Sequence, residues 1–246
     1  MSRGFLVLDI ETVPDPSLYT PPMQAAGVER PFPPIYAHRP IVIGVLWLDE
    51  SYGFKRLGVV GENKDEAGQL GDFAAFMASF KPGERPLLVT YNGRGFDVPV
   101  ITLRCLRHGV PLGFTYDGAF RHRYSDGGHL DLHDHLSDHG AARGMSLDML
   151  ARVIGLPGKV GVDGSQVEGL FHAGQLEAIK NYCLSDVAQT AFLLLRFRLL
   201  QGHLPVERYR VAAAALLEQF IADPRLAPLT DKIERGRLLL EGPAAV

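Results

Sequence analysis

The stretch FLVLDIETVPD at residues 5–15 constrains this chain most. Its apolar run reads as a buried strand, yet the run ends in two acids. Side chains of a strand alternate between faces, so Phe5, Val7, Asp9 and Glu11 share one side while Leu6, Leu8 and Ile10 share the other. Two carboxylates at the edge of a core repel each other and lose hydration. They stay ionised only beside a cation or strong hydrogen-bond donors. The strand itself carries no Lys or Arg.

The rest of the chain supplies an alternating architecture. Residues 13–40 form a Pro-rich segment that reads as too broken for regular structure and as a long surface excursion. Residues 41–49 and 51–60 read as two further strands, which with the first make an antiparallel meander. Leu70, Phe73, Phe76, Met77 and Phe80 recur at helical spacing within 64–80, and residues 85–92 return as a strand. Residues 97–109 predict a helix with Asp97 as N-cap and Gly109 as its stop. A short strand near 130–132, a helix over 146–156 capped by Ser146, a long helix over 175–200 and another over 206–222 complete the reading. The expected fold class is α/β: one mixed, twisted five-stranded sheet flanked by helices. Residues 1–200 are expected to form the main domain, with 201–246 a helical extension packed on it.

At 246 residues the chain is long enough for one sizeable core. Two cysteines, Cys105 and Cys183, sit in apolar helical patterns, which suits a reducing compartment and gives no disulfide framework. Nothing reads as a signal peptide or membrane span, and the cytoplasm is the expected location. The formal charge of −3 argues against a phosphate-binding protein at first sight. Two divalent ions held by carboxylates would bring it to about +1 and remove the objection.

Further acids recur where such a sheet converges. LVTYNGRGFD ends the fourth strand, expected beside the first, with Asn92, Phe96 and Asp97. In NYCLSDVAQT, Tyr182 and Asp186 lie one helical turn apart, while Ile179, Cys183 and Val187 line a neighbouring apolar face. Taken singly, Asp97 is an ordinary cap, Glu11 a solvated edge charge, Tyr182 and Asp186 surface residues, and Phe96 core. Only the ordered set carries a function.

That set, Asp9-x-Glu11, Asn92-x-x-x-Phe96-Asp97 and Tyr182-x-x-x-Asp186, resembles the DEDDy group of 3'-to-5' exonucleases. The stretches LVTYNGRGFDVPV, HLDLHDHLSDHGAARGMSLDMLARVIGLPGK and DGSQVEGLFHAGQLEAIKNYCLSDVAQT are similar to bacterial predicted exonucleases related to the proofreading domain of family B DNA polymerases. The likeness spans roughly residues 4–200, and the 46 or so that remain are too few for a polymerase domain. It implies an RNase H-like fold and catalysis with two divalent cations, Mg²⁺ or Mn²⁺. Such hard ions prefer oxygen ligands, which is why carboxylates suit them. By resemblance, Asp9 would bridge both ions, Glu11 and Asp186 would complete the site of the nucleophile-activating ion, and Asp97 would hold the other. Tyr182 would orient the attacking water, and Asn92 and Phe96 would contact the terminal nucleotide.

Two other signals compete. His129, Asp131, His133, Asp134, His135, Asp138 and His139 invite a transition-metal reading, but their spacing matches no HExxH pattern. Asp131 and Asp134 are instead expected to cap local turns, with the histidines forming a polar rim that faces DNA. Among scattered basic residues (Arg104, Arg107, His108, Arg121, Arg123 and Arg143), Arg94 and Lys159 are the best candidates for phosphate contacts, because Gly-flanked turns let the backbone approach a strand. The segment from Arg225 to the C-terminus reads equally as a docking helix or a basic edge. The expected partner is single-stranded nucleic acid, DNA in preference to RNA, hydrolysed to nucleoside monophosphates with low base selectivity. The alternatives are an RNA-trimming exonuclease and a catalytically weak nucleic-acid-binding module.

Overall fold

Strand β1 (Phe5–Pro14) lies at the centre of the sheet and sets out both cores. The computed structural model describes residues 4–22, 31–81, 83–125 and 127–242. Strands β2 (His38–Leu48) and β3 (Phe54–Val59) follow as the antiparallel meander, and helix α1 (Glu66–Ala78) leads to β4 (Leu87–Thr90). Helix α2 (Asp97–His108) and the short α3 (Gly118–Arg121) precede β5 (His129–Asp131). The sheet order is β3-β2-β1-β4-β5, with β4 parallel to both β1 and β5. This is the α/β, RNase H-like mixed five-stranded sheet expected from the sequence.

The alternation read along β1 sorts the two cores. Leu6, Leu8 and Ile10 join Ile43, Leu88 and residues of α1 and α2. Phe5 and Val7 face the other way, into a cluster with the helices that follow β5. These are α4 (Leu132–Leu136), α5 (Leu147–Val153), α7 (Leu176–Leu200) and α8 (Val206–Ile221), while α6 (Val167–His172) packs with Val13, Val42 and Ile179 in a smaller cluster. Short helices α9 (Ala227–Thr230) and α10 (Arg235–Leu238) close the described chain. Asp9 and Glu11 share the face of Phe5 and Val7, so they are aimed at α7.

Several expectations need correction. The Pro-rich segment is more regular than its prolines suggest: Pro14 ends β1, and β2 begins at His38 and runs through Pro40. Pro40 pairs with Thr12 where the register slips by one residue, beyond the reach of β3, so no ladder hydrogen bond is demanded of it. Residues 23–30 of that segment lie outside the described residues. Strand β5 ends one residue earlier than expected, at Asp131. The C-terminal segment is neither a free basic edge nor a lone docking helix. Leu226, Leu229 and Leu238 are buried in the α7 cluster, where Arg196 and Tyr209 both donate to the Leu238 carbonyl, at 2.9 and 2.5 Å.

Three of the scattered basic residues serve the start of the Pro-rich segment. Arg104, 2% exposed, donates to Asp15 at 2.7 Å and to both oxygens of Glu66. Arg107 reaches Ser17 at 3.2 Å and His108 lies 3.2 Å from Glu66. The loop leaving β1 is thereby pinned to α1 and α2.

Candidate active site

The site begins with a glycine. Gly44 on β2 stands opposite Asp9, and a Cβ there would lie 2.6 Å from Cys183 Sγ. Its absence lets α7 approach the sheet. Cys183 then contacts Asp9 directly, its thiol 3.5 Å from the backbone oxygen and from Oδ2. Ligand atoms of Asp9, Glu11 and Cys183 all lie within 4.8 Å of one another. Burial raises the Cys183 thiol well above its ordinary range, with the charges of Asp9 and Glu11 adding to the effect. It therefore stays protonated and acts as a donor.

Asp97 enters from the end of β4. It is not the N-cap of α2: that position is Phe96, and Asp97 is the first helical residue, 4% exposed. Its Oδ1 accepts the Ile10 amide at 3.1 Å, joining α2 to β1 between the two acids of the first motif. Asp186 enters from α7 one turn beyond Tyr182, whose phenol favours its charged form. Gln189 Nε2 lies 3.3 Å from Asp186 Oδ1.

These carboxylates resist ionisation. Burial raises Asp9 well above the carboxylate range, and the charges of Asp97, Glu11 and Asp186 push it further. Glu11 follows for the same reasons, burial first, then Asp186 and Asp97. Asp97 is pushed up to about 7, by burial and then by Asp131, and Asp186 also to about 7, by burial, with Lys159 pulling the other way. Such a cluster stores repulsion that a cation would relieve. The donors are carboxylate oxygens with one protonated thiol, a set that fits hard divalent ions such as Mg²⁺ or Mn²⁺ better than soft ones.

The other sequence-predicted contacts fall into two groups. On the loop after β4, Phe96 lines a cleft that opens off Glu11, while Asn92 (φ 63°) is exposed. That loop is tied down by Asp131, whose carboxylate accepts the amides of Asn92 at 2.8 Å and Arg94 at 2.7 Å while capping α4 through His133. Arg94 turns inward instead of toward solvent, its guanidinium donating to the carbonyls of Phe120 at 3.2 Å and His129 at 2.9 Å. Lys159 pairs with Asp163, and its charge bears on Asp186.

The histidine segment makes no rim as a set. His129 is buried, bonded through Nε2 to Thr90 at 2.8 Å and stacked on Phe120, and burial lowers it to about 3. His133 packs edge-on against Tyr91, and His139 against Tyr124. Asp134 caps no turn; Arg123 grips both its oxygens at 2.8 Å. Among the described residues, Asp9, Glu11 and Cys183 are the group that brings three ligand atoms together.

Sequence reasoning placed Cys183 on an apolar face and gave Gly44 no role. It also gave no sign that His38 and residues 164–168 border the site. A cleft of about 870 Å³ opens off Glu11 and is lined by Phe32, His38, Phe96, Gly164, Ser165 and Glu168, among others.

A family described as predicted 3'-5' exonucleases related to the exonuclease domain of PolB matches residues 30–231. The chain belongs to this family. It is accordingly a nuclease acting on nucleic acid, of a kind that generally uses divalent metal ions. The match begins after β1 and so does not cover Asp9 and Glu11. No curated protein matches the chain.

Proposed function

We propose that this member of the family is a DEDDy-type 3'-to-5' exonuclease that removes nucleoside monophosphates from single-stranded DNA in the cytoplasm. One observation carries the reading: Asp9 and Glu11 bring ligand atoms within 4.8 Å of each other, Asp97 is bonded to the amide between them, and the charges of Asp97 and Asp186 bear on both beside an open cleft. Asp9, Glu11, Asp97 and Asp186 would hold two Mg²⁺ or Mn²⁺ ions, which supply Lewis acidity at the scissile phosphorus and make bound water more acidic.

The chain's own groups do the positioning. Burial and the charge of Asp186 raise the Tyr182 phenol far above its ordinary value, so it remains protonated and is no general base. Its oxygen would accept a hydrogen bond from the attacking water and fix the line of approach. The Ile10 amide holds Asp97 in place. Asn92 and Phe96, on the loop fixed by Asp131, would contact the terminal nucleotide, a role supported for Phe96 by its place in the wall of the cleft. Two free buried thiols, Cys105 and Cys183, suit a reducing compartment.

The test is incubation of the protein with end-labelled single-stranded DNA and RNA in Mg²⁺, Mn²⁺ or EDTA. Stepwise shortening of DNA from the 3' end is expected, abolished by EDTA and by Asp9→Ala and retained by His133→Ala. Binding without cleavage under either ion would overturn the proposal, and preferential loss of RNA would overturn its substrate.

A further inference from the structure

A second cleft, of about 370 Å³, opens between α2, the turn at Gly113–Tyr116 and α3, and shares no lining residue with the cleft beside Glu11. Its size suits one small organic ligand. Arg94 and Arg121 line it, and no acid stands among the described residues of its wall. Arg121 is exposed, its guanidinium 4.3 Å from the centroid of the Tyr116 ring, and it pairs with no carboxylate among the described residues. Arg94 is half-buried, and both its side-chain bonds leave from Nη2 to carbonyls, which anchor the group without cancelling its charge. Asp131 and Asp134 act on that charge only from a distance, since the first is committed to backbone amides and the second to Arg123. Two cations without an ionic partner, one of them partly dry, favour an anion. Val98, Leu103 and Phe120, with the Thr102 hydroxyl, supply much of the remaining wall.

This cleft meets the acidic site through one short segment. Val98 follows Asp97 directly, and Arg94 precedes it by three positions on the loop that Asp131 ties down. A ligand wedged against both therefore bears on the turn that sets Asp97 against the Ile10 amide. We propose that the cleft binds a nucleoside monophosphate, the product of the proposed cleavage, and that its binding slows catalysis through the segment carrying Asp97. This rests on the exonuclease reading given above. A phosphate monoester carries about two negative charges at neutral pH, which two guanidiniums match, whereas each phosphate within a strand carries only about one. Arg121 meets the phosphate, drawn in by the field of Arg94, while the sugar and base lie against Thr102, Leu103 and Phe120. Product accumulating near the enzyme thus acts back on it from a place the DNA does not occupy.

The experiment titrates the full chain with thymidine 5'-monophosphate in EDTA, followed by calorimetry. Without metal the acid cluster repels a phosphate, so the binding measured belongs to the second cleft. Thymidine and inorganic phosphate should each bind roughly tenfold more weakly than the monophosphate, and Arg121→Glu should weaken the monophosphate by a similar factor. Leu103→Trp, which fills the mouth, should do the same. Both side chains are exposed, so unchanged thermal melts separate lost binding from lost folding. In Mg²⁺, the monophosphate should lower kcat on single-stranded DNA about fivefold without raising KM, and Arg121→Glu should escape that effect. No binding in EDTA, or inorganic phosphate binding as tightly as the nucleotide, overturns the proposal. So does inhibition that competes with DNA and survives Arg121→Glu, while binding with kcat unchanged overturns the coupling to Asp97. Absence of cleavage in Mg²⁺ and Mn²⁺ would overturn the exonuclease reading instead, and the titration in EDTA, which needs no cleavage, still decides on the cleft.

Discussion

Replacing Asp97 by Asn should stabilise the metal-free protein. The Asp97 carboxyl moves from 3.8 to about 7 on folding, chiefly because it is buried. At 1.36 kcal/mol per pKa unit, a rise of about three units costs the folded state about 4 kcal/mol once pH exceeds 7. Asn keeps an oxygen for the Ile10 amide, and the lost charge on that bond is already contained in the net rise. A gain of about 4 kcal/mol is expected, or roughly 8–16 °C in melting temperature for a chain of this size. The sign of the pH dependence follows from the upward shift: the wild-type protein is unhandicapped below its unfolded pKa and loses stability as pH rises through 7. The gap between variant and wild type should therefore be absent near pH 4, open between about 4 and 7, and stay open at pH 8. Circular dichroism melts in EDTA at several pH values measure it directly. Adding Mg²⁺ at pH 8 should raise the wild-type melting temperature and move the variant much less, because binding to the folded state adds stability in proportion to the logarithm of occupancy. A variant less stable than wild type at pH 8 in EDTA, or a gap of equal size at pH 4, would refute the idea that these buried acids are arranged to hold a cation.

Other substitutions probe separate parts of the site. Tyr182→Phe should lower kcat on the order of a hundredfold while leaving the Mg²⁺-induced rise in melting temperature intact, since the phenol orients water and holds no ion; an unchanged kcat would remove Tyr182 from the mechanism. Gly44→Ala should destabilise the protein by about 1–3 kcal/mol through the clash with Cys183, and Cys183→Ala added to it should recover much of that loss; additive effects in denaturant melts would show that the contact is not what Gly44 protects. Asp131→Ala leaves the amides of Asn92 and Arg94 without their acceptor, so a loss of about 2–3 kcal/mol is expected, with a raised KM on DNA; an unaffected KM would separate the loop from substrate binding.

What could be read in advance divides along a physical line. The long helix carrying Tyr182 and Asp186 was legible because its apolar spacing extends over many turns, and β1 because its alternation is unbroken up to the acids. Strand β2 was legible only in part, since a proline that a register slip makes harmless looks in sequence like any other proline. The cap of α2 was misassigned by one residue, an error with consequences: a capping Asp97 would be occupied with its own helix, whereas the first helical residue is free to accept Ile10 and face Asp9.

The deeper limit is that a charge declares its partner only in three dimensions. Asp9 lies within β1 and Asp15 directly after it, six positions apart. Asp15 meets Arg104, 89 residues away, and its hydrogen bonds to Ser17 and Arg104 hold its carboxyl well below the usual range. Asp9 meets Asp97, Glu11 and Asp186 and is driven the other way. Arg94 shows the converse, since a guanidinium that reads as free for phosphate is spent on two carbonyls more than 25 residues away. Composition and spacing could nominate Asp9 because an acid on a buried strand face demands a cation whichever residue supplies it. They could not acquit Asp15, because the cation that satisfies it is written elsewhere in the chain. A functional carboxylate in this fold is therefore one whose compensating charge the chain never supplies, and that deficit is the physical property the exonuclease reading depends on.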